Sequence, residues 1–377
     1  MDYTQQKISF KIKKTLRYLR LYGPMRTLIK VKGQYHMNKE YDKLPDLSKN
    51  DSKGRHVGIM GCGNYAYGVI GFYLNNNFGK KIKTSMDINL NRAASLAEQY
   101  NLSSFSDNPE EIINDQNIDL VYIASNHFTH AEYAIKALKN NKSVHIEKPH
   151  VVSRDQLDRL INTMRVSKGK VRLGFNRPAS RFGKLILESL KKESGPTMIN
   201  WFVAGHEINP SHWYFHEKEG GRILGNLCHW TDFTYQMIDE KNRYPIRIIP
   251  TRSEKADCDI SVSYVFGDGS IASITFSAKG HTFEGVREKL NIHKGNTLIT
   301  MDDYEKMRVD VVDKKIIYKN IFRDHGHQHN IKRSYEMISK NKDGESLKYI
   351  FESADLFLKT KEALEEQKEI IIEEFKK

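Results

Sequence analysis

The chain has 377 residues, enough for two domains of about 100–200 residues each, and 39% of them are hydrophobic, so it is not disordered as a whole. Its net charge of +13 is concentrated in residues 1–53, which hold 13 Lys or Arg against 5 Asp or Glu. Because the remainder is close to neutral and no apolar run reaches about 18 residues, the sequence argues against nucleic-acid binding and against a membrane-spanning helix.

Residues 1–53 are predicted to form a basic helical extension followed by a polar linker. Four apolar side chains recur at the spacing of one helical face: Ile8, Ile12, Leu16 and Leu19. Gly23-Pro24 is expected to end this helix. Two hypotheses follow for residues 1–22. They contact a membrane surface or an acidic protein partner, or they pack on the body or on a second subunit. We expect the deletion of residues 1–50 to leave ligand binding by the body intact but to alter membrane association, partner binding or oligomer size.

The cysteines give no sign of a disulfide framework or a zinc site. Cys62, Cys228 and Cys258 form an odd, scattered set without the paired spacing that either would need. No continuous apolar stretch follows the basic N-terminus, so no secretory signal is predicted. We therefore expect the protein in the reducing cytoplasm.

Residues 54–175 alternate between strands and helices, which predicts βαβ units and a doubly wound parallel sheet of the Rossmann type. The predicted strands are His56–Met60, Ile82–Met86, Leu120–Ala124, Ser143–Ile146 and Val171–Phe175. The predicted helices are residues 64–77, Arg92–Tyr100, His130–Lys139 and Ser153–Ser167.

Residues 176–377 contain more strands and fewer helices, which predicts an α+β domain with a mostly antiparallel sheet. The predicted strands are Thr197–Val203, Arg247–Pro250, Ile260–Phe266, Ser270–Ala278, Lys289–His293, Thr297–Met301 and Lys315–Tyr318. Phe266–Ser270 is expected to form a hairpin turn, and residues 328–367 are predicted to be helical.

The segment Gly61-Cys62-Gly63-Asn64-Tyr65-Ala66 joins the first predicted strand of the parallel sheet to its first helix. Gly61 allows a tight turn, and Gly63 lets the backbone approach a pyrophosphate at the helix N-terminus. Ala66 keeps the helix close to the sheet. We therefore predict that this glycine turn, with Asn64 and Tyr65, binds a dinucleotide.

Asp87 stands at the end of the second predicted strand. A carboxylate at this place accepts hydrogen bonds from the adenosine ribose and repels a 2′-phosphate. Ile88 follows it rather than an arginine, which favours NAD over NADP, although Arg92 is close enough in sequence to serve a 2′-phosphate. The alternative is that Asp87 only caps the next helix.

Five features, in order, resemble the Gfo/Idh/MocA oxidoreductases, named after glucose–fructose oxidoreductase and inositol dehydrogenase. They are the glycine turn, Asp87, the loop Ser125–His130, the tripeptide Glu147-Lys148-Pro149, and GGRILGNLCHWTD at residues 220–232. The sequence DGSIASITF at residues 268–276 fits the second sheet of that family. The resemblance extends over residues 55–367 and implies a Rossmann domain followed by an α/β domain with a large, mostly antiparallel sheet.

The resemblance also implies roles for single residues in the Rossmann domain. Lys148 takes the place of a lysine that lies near the nicotinamide and the substrate hydroxyl. Glu147 is implied in binding on the nicotinamide side. The loop after the strand Leu120–Ala124 implies cofactor contacts for Ser125, Asn126 and His130.

In the second domain the resemblance assigns acid/base chemistry to His229, with Asp232 beside it. Many family members have an aspartate four residues before that histidine, where this chain has Gly225 followed by Asn226. We expect Asn226 to contribute to substrate binding. The missing carboxylate leaves two hypotheses: Asp232 or another group replaces it, or Lys148 and His229 act without it.

Further candidates for substrate binding are two aromatic residues and an Asn-Arg pair. Trp213 and Tyr214 suit stacking on a sugar or a base, or alternatively anchor a rigid loop. Asn176 and Arg177 follow a predicted strand at the carboxyl edge of the sheet, where ligands of such sheets bind. Arg177 or Arg181 is expected to pair with a substrate phosphate or carboxylate, with a salt bridge as the alternative.

The alternating histidines of residues 325–329 invite a metal interpretation, but no cysteine or carboxylate completes a recognised ligand set, and we predict no metal site. The predicted function is an NAD-dependent dehydrogenase acting on a secondary hydroxyl of a sugar, more specifically a nucleotide sugar of polysaccharide or glycan metabolism, in a homo-oligomer. An NAD-dependent glycosidase that oxidises its substrate transiently stays open, as does a non-catalytic NAD-binding scaffold or sensor, which Gly225 suggests.

Overall fold

A parallel sheet organises the first part of the chain in the computed structural model, which describes residues 3–252, 259–278 and 283–374. Its strands are β1 (Val57–Met60), β2 (Ile82–Met86), β3 (Ser104–Ser106), β4 (Leu120–Ile123), β5 (Ser143–Ile146) and β6 (Val171–Leu173). Their order is β3-β2-β1-β4-β5-β6, and all pairs are parallel. This doubly wound order confirms the predicted Rossmann sheet.

The helices of this part are α1 (Ile8–His36), α2 (Phe72–Phe78), α3 (Leu90–Tyr100), α4 (Glu110–Ile113), α5 (His127–Lys139) and α6 (Arg154–Val166). A π-helical turn, Ala66–Gly71, precedes α2. Ser153 caps α6 as expected, its Oγ accepting from the Gln156 N–H at 3.2 Å. The sequence prediction missed β3 and α4, because segments of three or four residues are too short for a periodic pattern.

The second part holds a sheet of nine strands within the described residues. Its helices are α7 (Arg181–Leu190) and α8 (Cys228–Met237), and its first strands are β7 (Thr197–Ala204), β8 (Ile246–Arg252), β9 (Ile260–Val265) and β10 (Ile271–Ser277). The remaining strands are β11 (Arg287–Lys294), β12 (Thr297–Asp302), β13 (Lys306–Val311) and β14 (Lys314–Lys319). The chain continues with α9 (His327–Ser339), α10 (Leu347–Glu366) and β15 (Ile370–Ile372).

The order of this sheet is β14-β13-β12-β11-β7-β10-β9-β8-β15, and among the strands that the structure describes only the β7–β10 pair is parallel. The predicted mostly antiparallel sheet is therefore confirmed, including the turn between β9 and β10, where Gly269 adopts φ 82°. Burial alternates along β7, so one face of the sheet is buried. On that face, the indole Nε1 of Trp201 donates to Thr234 Oγ1 on α8 at 3.1 Å. β13 and β15 were not predicted.

The contacts divide the chain into two units whose limits differ from the sequence prediction. One unit comprises the residues up to Gly174 and residues 327–350, and the other comprises 175–326 and the residues from Phe351 onward. Helix α9 belongs to the Rossmann unit because Ile331 and Tyr335 enter its core, and the Tyr122 hydroxyl donates to the Ile331 carbonyl at 2.8 Å. The predicted assignment of all residues after 175 to one domain needs this correction.

The predicted separate extension of residues 1–53 also needs correction. Gly23, at φ 77°, breaks α1 at the predicted place, and the two halves of the helix differ in burial. In the second half, Ile29 is 5% exposed within the Rossmann core, and the Arg26 guanidinium lies 4.7 Å from the ring centre of Tyr73. Residues 24–36 are therefore part of the Rossmann unit, because their buried side chains complete its core.

Candidate functional site

The glycine turn after β1 has the backbone geometry that the motif predicts. Gly61 adopts φ 86°, and a Cβ there would overlap the backbone of Ala124 and Ser125. Only glycine therefore permits this close approach between the turn and the loop after β4. A Cβ at Gly63 would meet no atom of the described residues within 4 Å, so the space in front of Gly63 has room for a pyrophosphate.

Asp87 is fixed beside this turn. Its Oδ2 accepts a hydrogen bond from the Cys62 N–H at 2.7 Å, and its Oδ1 accepts from the Asn89 N–H at 2.8 Å. The carboxylate thus stands at the end of β2 and next to the glycine turn, where an adenosine ribose binds in Rossmann sheets. Gly63 and Asp87 together fit a dinucleotide, and Tyr65 and Ala66 continue the helix that follows.

His36, which the sequence reasoning did not identify, supports the glycine turn from α1. Its Nε2 lies 2.7 Å from the carbonyl oxygen of Cys62, its Nδ1 lies 2.9 Å from Ser95 Oγ, and its ring stacks on Tyr67. Burial lowers the pKa of His36 to about 4, so the ring is neutral near pH 7. Because a carbonyl only accepts, Nε2 carries the proton and Nδ1 accepts from the serine.

The close contact of α1 with the turn has a second component at Gly33. A Cβ on Gly33 would come within 2.6 Å of the Asn64 Oδ1 atom. The glycine therefore lets α1 approach the first residue after the turn. Gly33 is visible in the sequence three residues before His36, but only the packing of α1 shows that a small residue is needed there.

The loop after β4 is tied to the Glu147-Lys148-Pro149 segment through His130. The buried imidazole places Nδ1 2.8 Å from the Pro149 carbonyl oxygen and Nε2 3.0 Å from the Ser125 carbonyl oxygen. Burial lowers the pKa of His130. Both ring nitrogens face the protein backbone, which suits positioning of the loop better than direct contact with a cofactor. Asn126 is exposed at the start of α5, and Ser125 is half-buried.

Glu147 belongs to a buried polar chain that the sequence did not predict. His145 Nε2 lies 3.0 Å from Glu147 Oε1, and His145 Nδ1 lies 2.7 Å from Ser334 Oγ on α9. Burial and the neighbouring Glu147 carboxylate raise the pKa of the Tyr65 hydroxyl, so Tyr65 stays protonated as a donor. A Cβ on Gly174 would come within 2.6 Å of the Glu147 carboxyl group. The chain fixes Glu147 and leaves the adjacent Lys148 half-buried.

In the second unit, His229 and Asp232 lie on α8. His229 is half-buried, and its ring meets the Phe175 ring edge to face with ring centres 6.1 Å apart. Both oxygens of the buried Asp232 accept hydrogen bonds, Oδ1 from Ser353 Oγ at 2.7 Å and Oδ2 from Gln236 Nε2 at 2.8 Å. These bonds suit a positioning role for Asp232 rather than proton transfer.

Asn226 lies three residues before His229, in the π-helical turn Ile223–Leu227 that leads into α8. Residues three apart share a helix face. Its Oδ1 atom is buried and has no hydrogen-bond partner within the part of the chain that the structure describes. A buried acceptor without a donor is costly, so a ligand hydroxyl is a fitting partner for Asn226.

Arg177 and Asn176 have partners inside the second unit. The Arg177 guanidinium pairs with the buried Glu288 through Nε at 3.0 Å and Nη2 at 2.6 Å, and Trp230 Nε1 donates to the same carboxylate at 2.8 Å. Asn176 Nδ2 donates to the His325 carbonyl at 2.6 Å. These contacts argue against the predicted substrate-binding roles of both residues and favour the salt bridge, here a buried one.

The remaining candidates divide into an aromatic cluster and a histidine segment. Trp213 and Tyr214 are half-buried, and their rings meet edge to face with ring centres 4.5 Å apart. They therefore offer a partly exposed aromatic surface, which fits both stacking on a sugar or a base and the anchoring of a rigid loop. In the histidine segment, His327 Nδ1 lies 3.3 Å from the Tyr65 hydroxyl within the Rossmann unit, and the His325 ring contacts Tyr304 in the other unit.

Comparison with known proteins gives a family match and several relatives. Residues 55–175 match the model of an oxidoreductase family with an NAD-binding Rossmann fold, the GFO_IDH_MocA family. Inositol 2-dehydrogenase of Salmonella typhimurium is 30% identical over 186 residues, which are 49% of this chain and 54% of that protein. Oxidoreductase P35 of Formosa agariphila is 31% identical over 116 residues, which are 30% of this chain and 36% of that protein. The chain thus matches about a third to a half of these relatives.

Solved structures share the fold over most of the chain. A levoglucosan dehydrogenase in complex with NADH and levoglucosan superposes with a TM-score of 0.73 at 15% identity, covering 84% of this chain and 99% of the other. A putative myo-inositol dehydrogenase from Sinorhizobium meliloti gives a TM-score of 0.70 at 16% identity, covering 84% and 99%. At these identities the likeness establishes the fold alone.

Proposed function

We propose that this chain, which belongs to the Gfo/Idh/MocA oxidoreductase family, is an NAD-dependent dehydrogenase acting on a secondary hydroxyl group of a sugar or a cyclic polyol. The observation that carries the proposal is the arrangement of the Rossmann unit. The glycine turn, Asp87 and the buried support of Glu147-Lys148 all lie within or beside the family match. The inositol dehydrogenases among its relatives support a polyhydroxylated substrate.

We propose a nucleotide sugar as the more specific substrate. The partly exposed pair Trp213 and Tyr214 supports a substrate with a planar group, since aromatic side chains stack on bases and sugars. The buried Asn226 Oδ1 supports a hydroxyl donor in the same substrate. The role in polysaccharide or glycan metabolism is part of this proposal.

In the proposed reaction the cofactor, when bound, takes up or returns a hydride, and the protein positions the reactants and moves a proton. Gly61, Gly63 and Asp87 would hold the dinucleotide. Lys148 Nζ stabilises the developing alkoxide as a cation, and the imidazole of His229 exchanges the hydroxyl proton. Asp232 keeps α8 and its histidine in place, in agreement with its bonds to Ser353 and Gln236.

Incubating the full chain with NAD and a panel of inositols, free sugars and nucleotide sugars tests this function through the absorbance of reduced cofactor. We expect reduction of NAD with at least one member of the panel, and a faster rate with a nucleotide sugar. Release of free sugar without net reduction would favour the glycosidase instead. Tight NAD binding with no turnover of any member would favour the scaffold or sensor.

We further propose that the protein forms a homo-oligomer through the outer face of the nine-stranded sheet. This face exposes Met198 and Phe202 on β7, Ile271 on the adjacent β10, and Leu298 on β12. Large apolar side chains exposed on one face of a sheet are typical of subunit contacts. Changing Phe202 to Glu should shift the mass in solution towards the monomer, and an unchanged mass would contradict this contact.

The proposed compartment is the reducing cytoplasm. Cys62 and Cys228 are both fully buried thiols, and burial raises the pKa of Cys62 well above its ordinary value. Cys258 lies outside the described residues. Among the described helices, none combines the length and the apolar character that crossing a membrane requires.

A further inference from the structure

The first half of α1 exposes the apolar face that its sequence predicts. Four side chains at the spacing of one helical face are exposed: Ile8 by 76%, Ile12 by 55%, Leu16 by 60% and Leu19 by 37%. The opposite side of the same helix carries Lys14 and Leu21, which are buried. A helix that turns its isoleucines and leucines outward presents them to something other than its own unit.

The charge of this segment is of one sign. Residues 3–39 contain no Asp or Glu, and their basic residues are Lys7, Lys11, Lys13, Lys14, Arg17, Arg20, Arg26, Lys30, Lys32 and Lys39. By helical position Lys13 and Arg20 flank one side of the apolar strip and Lys11 flanks the other. Long basic side chains beside an apolar strip extend to a negatively charged surface while the strip enters an apolar layer.

A cavity between the two halves of α1 brings basic and aromatic side chains together. It has a volume of about 90 Å³, and Lys11, Lys14 and Lys30 contribute to its lining together with Tyr3, Phe10 and Tyr18. The ammonium group of Lys14 lies 4.9 Å from the ring centre of Tyr3 and 5.1 Å from that of Tyr18. Tyrosine and lysine side chains both suit the interface between lipid headgroups and acyl chains.

We propose that residues 3–22 dock the protein on a membrane surface that contains anionic phospholipids. A second copy of this helix would bring the same positive charges together, so self-pairing is disfavoured. A nucleic acid would leave the apolar strip in water. Because residues 24–36 are packed in the Rossmann unit, docking of residues 3–22 would hold that unit at the membrane.

Flotation of the full chain with vesicles tests this docking. We expect co-flotation with phosphatidylcholine vesicles containing about a third phosphatidylglycerol, at least about tenfold weaker association with pure phosphatidylcholine, and a further loss at high salt. The double variant Ile12→Glu with Leu16→Glu should lose at least about tenfold in association with the anionic vesicles. Ile321→Glu, at a site 91% exposed in the other unit, is the matched control and should associate like the wild type.

A second pair of variants tests the charges alone. Lys13→Glu with Arg20→Glu should weaken association, whereas Lys314→Glu with Lys315→Glu on the exposed strand β14 should not. Thermal unfolding confirms that each variant is folded. Absence of wild-type flotation would overturn the proposal, as would flotation that the Ile12 and Leu16 changes leave intact. A fall in oligomer mass in those variants, without wild-type flotation, would assign the face to a second copy and also overturn it.

Discussion

His36 Nε2 donates to the carbonyl oxygen of Cys62 at 2.7 Å, so a residue of α1 holds the centre of the glycine turn. His36→Ala removes this bond and the stacking on Tyr67, and should destabilise the Rossmann unit by about 1–3 kcal/mol. We also expect weaker NAD binding, because the turn loses a fixed contact. Calorimetric titration and chemical unfolding measure both effects, with the exposed neighbour Tyr35→Ala as control. Equal NAD affinity of the two variants would contradict the role of His36.

Truncation separates the two halves of α1. Removing residues 1–22 should leave NAD affinity within about twofold of the full chain, because Ile8, Ile12, Leu16 and Leu19 are exposed and His36 stays in place. Removing residues 1–50 should destabilise the chain and lower NAD affinity, because it deletes Ile29 and His36 from the Rossmann unit. This replaces the sequence-based expectation that the longer deletion leaves NAD affinity intact. NAD titrations of both truncated chains check it, and equal affinities would restore that expectation.

The buried histidines predict a loss of stability in mild acid. The folded-state pKa of His36 and that of His150 are both about 4, below the ordinary value of 6.5, because burial disfavours the charged ring. Between these two values the unfolded chain binds protons that the folded chain does not, so stability falls as the pH falls from 6.5 to 4. Each group contributes up to about 3 kcal/mol. The free energy of unfolding against pH measures this, and His36→Gln should reduce its slope; an unchanged slope would contradict the assignment.

Asp87→Asn should relax the choice of cofactor. The charge that repels a 2′-phosphate disappears, while the amide oxygen still accepts the Cys62 N–H. We expect the ratio of NADP to NAD affinity to rise at least about tenfold. Asp107→Asn, an exposed residue directly after the neighbouring strand β3, is the matched control. If the ratio of NADP to NAD affinity changed equally in both variants, Asp87 would not be a ribose-binding residue.

Arg177→Ala should act on stability rather than on substrate affinity. Its loss leaves the buried Glu288 carboxylate without its cation, which costs about 3–5 kcal/mol in other proteins. The exposed neighbour Arg181→Ala serves as control and should change stability by less than about 1 kcal/mol. Unfolding curves measure the difference. A stable Arg177 variant with a raised KM would reinstate Arg177 as a substrate ligand.

The sequence predicted most strands of both sheets because alternation and apolar runs are local properties. The glycine turn and Asp87 could be recognised for the same reason, since their spacing reflects one βαβ unit, and the structure brings them into contact. His36 and Ser334 were missed because their partners, Cys62 and His145, are distant in sequence and nothing local marks the contact. For Arg177 the sequence left a ligand and a salt bridge open, because an arginine at a strand end has the same pattern whether it pairs with a ligand or with Glu288.

The most direct measurement is the deuterium content of the cofactor after the full chain has been incubated with NAD and fully deuterated inositols and sugars. We predict transfer of deuterium from substrate carbon to NAD by the wild type and by the control Lys139→Met, in which an exposed lysine is lost. Lys148→Met should transfer at least about 100-fold more slowly while still binding NAD. A wild-type chain that binds NAD and never labels it, or a Lys148 variant that labels it at the wild-type rate, would contradict the proposed dehydrogenase.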